Sequence, residues 1–343
     1  MGLSEKQLEE LRGIFDSSHR PVILFDDDAD GAASFLQIYK HIKEGKGMPV
    51  KNAPELGAEL ATKVNDYSPD MVMIVDVPIV NQDFIDQVKT RMVWIDHHPL
   101  IERKGIEYYN PRTEDADDNR PTSYWIYKAL KKNLWIAMLG SIGDWFLPEK
   151  EILDEFVKKY PDLLSQDITR PEVALHNSKL GELIKIISFN LKGKASDVIK
   201  SVKVLTRIKE PYEILEQSTS QGKFLYKKYS RLKSKYDELM SQIKMNPEDK
   251  LVVFVYKSPD YSFSAEISNE LIYKHPDKII LVVWEYNGEY KCSLRSTRIK
   301  LPPLIEKALD GVNGYGGGHD HAAGACVKIR DFERFVANIR KQF

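Results

Sequence analysis

The stretch FDDDADG, residues 25–31, places four carboxylates in five positions: Asp26, Asp27, Asp28 and Asp30. Like charges this close repel one another, so the motif needs water, Lys/Arg or a metal cation to offset them. On an extended strand end, residues two apart point the same way. Asp28 and Asp30 can therefore address two neighbouring cations, and Gly31 lets the backbone turn tightly into a following helix. Acids are also favoured as helix N-caps, but capping accounts for one or two of these carboxylates, not four. Asp27, pointing to the other side, reads as a cap at the helix start.

A second cluster is Asp96-His97-His98, after the apolar Met92-Val93-Trp94-Ile95. One imidazole can ligate a metal while its neighbour reaches a substrate oxygen. An isolated His-His pair is more often a surface or packing feature, but this one follows a buried-looking strand and an Asp. Asp76 closes another apolar run, and Gly143-Asp144 follows LWIAMLGSI. Carboxylate and imidazole donors without thiolate suit manganese or magnesium better than structural zinc.

Two further stretches suit an anion. In GYGGGHDHAAG, residues 314–324, glycines expose backbone N–H groups and alanines allow close approach. His319 could donate to a phosphate, although three glycines in a row also make a plain flexible turn. In CSLRST, residues 292–297, alternation puts Ser293, Arg295 and Thr297 on one face. Arg295 there suits a phosphate or carboxylate clamp, or a surface salt bridge.

The elements that must hold these residues are legible as periodicity. Apolar runs at 21–25, 71–75 and 92–95 read as strands, with helical patterns at 32–43 and 83–90. Short continuous apolar runs separated by helices predict a parallel sheet covered on both faces. Each run ends in acid, at Asp26–Asp30, Asp76 and Asp96, and ligands collect at the carboxyl ends of such strands. The acidic TEDADDNRP that follows Asn110 reads as a solvated loop, and helical patterns dominate from about 121 to 218. Residues 221–244 form one long basic helix, a connector with a solvated face or else a basic rail for phosphates. Strands return at 251–256, 278–284 and 289–294, with helices at 265–274 and 304–309 and a glycine-rich loop before 325–329. The fold class is therefore α/β: an N-terminal parallel-sheet domain with a helical extension (1–218), a linker helix (219–248) and a smaller C-terminal α/β domain (249–343).

Bulk composition narrows the function. Across 343 residues, Lys+Arg 50 against Asp+Glu 51 leaves a net charge of -1, so a broadly basic duplex-coating protein is excluded. Cys292 and Cys326 form no CxxC, which argues against a zinc ribbon or disulfide scaffold and fits a reducing cytoplasm. The N-terminus lacks a signal-peptide apolar core, and no apolar run approaches the ~20 residues of a membrane span. A soluble cytoplasmic protein with no membrane association is expected.

Taken in order, these motifs resemble the DHH phosphoesterase superfamily, in the branch with a DHHA1 C-terminal domain. DADG at 28–31, Asp76, Asp96-His97-His98 and Gly143-Asp144 match its four N-terminal motifs, and SLRS at 293–296 and GGGHDHAAG at 316–324 match its substrate-binding ones. The resemblance implies two divalent ions, manganese first, with magnesium or cobalt as alternatives. Asp28 would bind the first and Asp30 the second, with Asp76 bridging and His97 and Asp144 completing the second site. Asp96 and His98 would be catalytic, with His98 on the scissile phosphate or leaving oxygen. Arg295, Ser296, Gly316, Gly317, Gly318 and His319 would hold the substrate from across a cleft. Branches resembling nano-RNases carry a histidine where this chain has Leu24. Asp26 instead matches the acid-x-acid-x-acid-Gly pattern of RecJ-like proteins and would be a further ligand. The expected function is a RecJ-like exonuclease on single-stranded DNA or RNA or short oligonucleotides, with replication or repair proteins as partners. The chain is too short for the OB-fold of longer bacterial RecJ proteins. Alternatives are a nano-RNase, a cyclic-dinucleotide or 3′-phosphoadenosine phosphate phosphoesterase, and a non-catalytic replication subunit.

Overall fold

A computed structural model describes residues 2–50, 55–259, 261–318 and 320–343. The chain divides into two units, Met1–Ser230 and Arg231–Phe343. The first begins with α1 (Glu5–Ser17), β1 (Val22–Asp26), α2 (Ala29–Ile42), β2 (Lys46–Val50), β3 (Glu55–Leu56) and α3 (Glu59–Tyr67). There follow β4 (Val72–Val75), β5 (Ile79–Val80), α4 (Gln82–Gln87), β6 (Met92–Ile95) and β7 (Glu107–Tyr109). Helices complete it: α5 (Thr122–Leu130), α6 (Leu134–Gly143), α7 (Lys150–Lys159), α8 (Pro171–Asn177), α9 (Lys179–Asn190), α10 (Ala195–Leu205) and α11 (Tyr212–Leu215). The boundary between units falls inside α12 (Ser220–Ser241).

The main sheet has the order β2-β1-β4-β6-β7, parallel throughout. Val22, Leu24, Val72, Ile74, Met92 and Trp94 pack on one face, with Ala61 and Val64 of α3 and Phe84 and Ile85 of α4. On the other face Phe25 stacks on Phe35 of α2, their centroids 4.7 Å apart. Cover on both faces is why these strands are apolar without alternation. β2 and β7, at the sheet edges, escape the periodicity argument. Each is short, and β2 carries Gly47 and Pro49, which edge strands tolerate.

The register fixes the site. Phe25 pairs with Val75, Val75 with Ile95, and Ile95 with Tyr109. The next residue on each strand therefore falls in one row: Asp26, Asp76, Asp96 and Asn110. The chain leaves β1 toward β2 on one side and reaches β4 on the other, so this row lies at a topological switch point, where α/β sheets bind ligands.

The second unit contains β8 (Leu251–Lys257), α13 (Ser264–Lys274), β9 (Ile279–Tyr286), β10 (Glu289–Ser296), α14 (Leu301–Ala308), β11 (Gly314–Gly318), β12 (Ala322–Lys328) and α15 (Phe332–Arg340). Its mixed sheet has the order β11-β12-β10-β9-β8. Leu281, Val283, Cys292, Leu294, Ala323 and Ala325 face α14 and α15, in a core closed by Leu304, Ile305, Phe335 and Ile339. The glycine-rich loop expected here is instead an exposed edge strand: Gly314–Gly318 pairs antiparallel with β12. Glycines disfavour strands entropically, but backbone pairing along β12 needs no side chains.

Along α12 the buried residues Leu225, Tyr229, Leu232 and Tyr236 recur at helical spacing, and most of its lysines stay at the surface. Among the described residues, no helix is long and apolar enough to cross a membrane.

Candidate metal centre

Strand β1 ends at Asp26, and α2 begins three residues later, inside the acidic motif. Asp28 is the N-cap, extended at φ -115° and ψ -171°, and its Oδ1 accepts from the Gly31 N–H at 2.9 Å. The cap therefore falls to Asp28 rather than Asp27. Asp30 lies in the first helical turn, not on an extended strand end, so it and Asp28 are presented by helical geometry rather than by strand alternation. Gly31 is required by close approach: a Cβ there would lie 2.8 Å from the Asp26 nitrogen and closer still to its carbonyl oxygen.

Asp30 is buried, and both its oxygens are engaged. Oδ2 accepts from the Thr122 N–H at 2.8 Å, and Oδ1 from the Ser123 N–H at 3.1 Å and the Ser123 hydroxyl. These donors form the N-terminus of α5, whose orphan amides need an acceptor. Asp30 thus fastens α5 to α2 while lying among the other acids.

Asp76 follows β4 with a left-handed φ of 60°, a conformation that Asp tolerates better than bulkier residues. It is 2% exposed and accepts from the Thr122 hydroxyl at 3.2 Å. His97 Nε2 lies 3.4 Å from Asp76 Oδ1 and 3.6 Å from Asp144 Oδ2. His97 Nδ1 donates to the Asn119 carbonyl at 3.1 Å. That bond fixes the tautomer and leaves Nε2 with its lone pair toward the carboxylates, the arrangement of a metal-ligating histidine. Asp76, His97 and His98 each offer one ligand atom, and these three atoms lie within 4.8 Å of one another.

His98 is held differently. Its Nδ1 donates to Asp96 Oδ1 at 2.8 Å, and its backbone N–H to Asp96 Oδ2 at 3.1 Å. The buried Asp96 also accepts from the Tyr108 hydroxyl at 3.3 Å, and the Asn110 side-chain amide donates to the His98 carbonyl at 3.0 Å. Asp96 therefore orients the His98 ring through Nδ1, beside Asp76 and His97.

The electrostatics state what this cluster lacks. Burial raises the Asp26 and Asp76 carboxyls well above the ordinary range, and neighbouring aspartates raise them further. Asp28 moves up for the same reasons, and burial lifts Asp144 to about 8 despite His97. Burial opposes charge on His97, but Asp144, Asp30 and Asp96 outweigh it and raise its pKa. The strongest influences on the four carboxyls include no lysine or arginine. A donor set of crowded carboxylates, buried at Asp76 and Asp30 and open to solvent at Asp28, with a carbonyl-anchored imidazole and little positive charge, fits divalent metal.

In the second unit, Gly317 pairs with Gly324, Gly324 with Ser293, and Arg295 with Ala322. Ser293, Arg295 and Gly317 consequently share the α13 face, where Ser268 Oγ lies 2.9 Å from Ser293 Oγ. Arg295 donates to Asn269 Oδ1 at 2.6 Å and to the Leu294 carbonyl at 2.8 Å; burial lowers its pKa to about 10, so it stays cationic at neutral pH. A Cβ on Gly317 would meet nothing within 4 Å, so the sheet is open there. Ser296, Gly316 and Gly318 alternate to the opposite face. Ser296 is buried, its hydroxyl accepting from the Arg298 and Ile299 amides at 3.2 Å. His319 lies outside the described residues.

Several supporting residues were not anticipated: Tyr108, Asn110, Asn119, Thr122 and Ser123. The acidic loop after Asn110 is not simply solvated. Asp118 is buried against Arg120, which also lies 4.3 Å over the Trp125 ring, and this brace presents the Asn119 carbonyl. The one sequence cue was Asn110, polar directly after a strand like the three acids.

Residues 21–154 match the DHH family N-terminal domain, and residues 248–343 match the DHHA1 domain. The chain belongs to the DHH/DHHA1 phosphoesterase superfamily. That membership supports a hydrolase acting on phosphodiester bonds. No curated protein matches the sequence. Among solved structures, RecJ from Thermus thermophilus with Mn2+ has a TM-score of 0.70 at 16% identity, covering 99% of this DHH protein and 55% of RecJ. This chain thus spans about half of that RecJ. A manganese-bound exonuclease RecJ has a TM-score of 0.60 at 16% identity, covering 99% of this chain and 96% of its own. The DHH domain of a protein assigned to a family of ribosomal proteins has 0.67 at 14%, covering 99% and 92%. These likenesses concern the fold. RecJ from Thermus thermophilus is also known with Mg2+.

Proposed function

We propose that this DHH/DHHA1 protein is a metal-dependent, RecJ-like exonuclease that hydrolyses single-stranded or short nucleic acid from one end. The observation that carries the reading is the convergence of Asp76, His97 and His98 at the switch point of the parallel sheet. Asp28, Asp76, His97 and Asp144 would hold divalent cations, two in number and manganese by preference, with Asp26 and Asp30 contributing. Bound there, divalent ions supply Lewis-acid charge to phosphoryl oxygens and acidify water.

The residues of the chain do the rest. Asp96 keeps the His98 Nδ1 proton in place, so that Nε2 meets the scissile phosphate or the leaving oxygen. Asn119 and Arg112, through the His97 carbonyl at 2.7 Å, hold His97 in its ligating pose. Arg295 and the open backbone at Gly317 would take a terminal phosphate of the substrate. Replication or repair proteins would be its natural partners.

The test is hydrolysis of end-labelled single-stranded DNA and RNA of graded length in Mn2+. Mononucleotide release from one end of long and short substrates supports the reading. Rates confined to dinucleotides or cyclic dinucleotides would replace it with a small-molecule phosphodiesterase. Inertness in manganese, magnesium and cobalt would point to a non-catalytic subunit.

A further inference from the structure

Helix α6 ends against the acidic motif: a Cβ on Gly143 would come within 2.6 Å of the Ala29 Cβ. Two residues later the backbone does something uncommon. The Trp145 N–H bonds to the Ile142 carbonyl at 3.1 Å, and the Phe146 N–H to the Ser141 carbonyl at 2.8 Å. This pair of bonds is a Schellman cap, whose left-handed position favours glycine. Here that position is Trp145, at φ 60°. The other non-glycine residues with positive φ among the described ones are all polar. A bulky aromatic at this conformation is a true outlier, and strain of this kind collects at functional sites.

The side chain is also the least buried of its kind. Trp94, Trp125, Trp135 and Trp284 are 0%, 3%, 3% and 8% exposed, whereas Trp145 is only partly buried. No hydrogen bond or ring contact of the Trp145 side chain is found among the described residues. It directly follows Asp144, so its Cα lies about 3.8 Å from that of a residue in the candidate metal cluster. The cap would be served better by glycine, and the indole is left partly open where the other four tryptophans are buried, so the backbone gives no reason for a tryptophan here.

We propose that Trp145 is a positioning residue, an aromatic platform on which a nucleobase of the substrate stacks beside the metal centre. The proposal rests on the reading of the chain as a nucleic-acid phosphodiesterase. Stacking is tolerant of base identity because every base offers a π-face, so Trp145 would favour base-bearing strands without selecting a sequence.

Trp145→Gly, Trp145→Phe and wild type would be compared on a single-stranded oligonucleotide and on a fully abasic phosphodiester oligomer, with thermal unfolding measured in parallel. Expected for Trp145→Gly is an unfolding midpoint at or above wild type, since glycine relieves the left-handed backbone. Its KM for the base-bearing strand should rise roughly 10-fold or more, with kcat nearly kept and abasic hydrolysis unchanged. Trp145→Phe should recover most of the KM. A lowered midpoint, or equal losses on both substrates, would make Trp145 a packing residue and overturn the proposal, as would an unchanged KM. A wild-type protein that cleaves no base-bearing strand but does cleave other phosphodiesters would fail the nucleic-acid reading itself, a separate outcome.

Discussion

Asp96→Asn separates the orienting of His98 from the holding of metal. The Asp96 carboxylate is fully buried and accepts both the His98 ring N–H at 2.8 Å and the His98 backbone N–H at 3.1 Å. An asparagine offers one acceptor oxygen in place of two, so one of these bonds is lost and the imidazole is free to take the other tautomer or rotate. A hydrogen bond to a charged group contributes roughly 1.5–3 kcal/mol, and about 1.4 kcal/mol is tenfold in rate. If His98 acts only in the transition state, kcat should fall roughly 10- to 150-fold with little change in KM. Metal should stay, because both Asp96 oxygens accept from His98. The assay pairs initial rates at saturating Mn2+ with calorimetric titration of Mn2+. A kcat equal to wild type would refute the role given to the dyad. A loss of Mn2+ affinity as large as that of Asp76→Ala would show Asp96 to be a ligand instead.

Other outcomes follow from the same geometry. Gly31→Ala forces a Cβ against the Asp26 backbone and should destabilise the protein by about 1–3 kcal/mol while weakening Mn2+ binding, as read by denaturant unfolding and titration; wild-type values would contradict the close approach. Asp144, at about 8, and the raised Asp26, Asp28, Asp76 and His97 make the folded, metal-free protein bind more protons than the unfolded chain. Metal-free stability should therefore fall as pH rises from about 4 toward 8, and the stabilisation given by Mn2+ should grow over that window; unfolding midpoints in chelator and in Mn2+ across pH would check both signs. Arg295→Lys loses the fork that meets Asn269 and the Leu294 carbonyl and should raise KM for 5′- or 3′-phosphorylated substrate ends with metal affinity intact; equal KM would remove Arg295 from the substrate site.

The parts of this fold that could be read from sequence were those set by burial on two sides. Val22–Phe25, Val72–Val75 and Met92–Ile95 are apolar without interruption because helices cover both faces, and an acid directly after each run marks the carboxyl edge. What escaped was set by partners distant in sequence. Asp30 looked like part of an extended strand end, but it lies in the first turn of α2 and also accepts from the amides of α5, 92 residues away. Strand β11 looked like a loop because its glycines carry no pattern, and its pairing is written in β12 instead. Asn110 and Asn119 each hold one of the histidines, and Tyr108 donates to Asp96, through hydrogen bonds that leave no periodic trace. Trp145 is the reverse case: its sequence neighbours suggest an ordinary helix end, and only the positive φ marks it as unusual.

The central claim, that the carboxylates and His97 at the switch point hold catalytic metal, is tested most directly at Asp76. This residue meets His97, the Thr122 hydroxyl and the fields of Asp30, Asp28, Asp26 and Asp144. The measurement is Mn2+-dependent release of nucleotides from an end-labelled single strand by wild type and Asp76→Ala, with the fold of each checked by thermal unfolding. The account predicts hydrolysis by wild type that chelator abolishes, and a folded Asp76→Ala protein with neither hydrolysis nor tight Mn2+ binding. Full Mn2+-dependent hydrolysis by Asp76→Ala would contradict it.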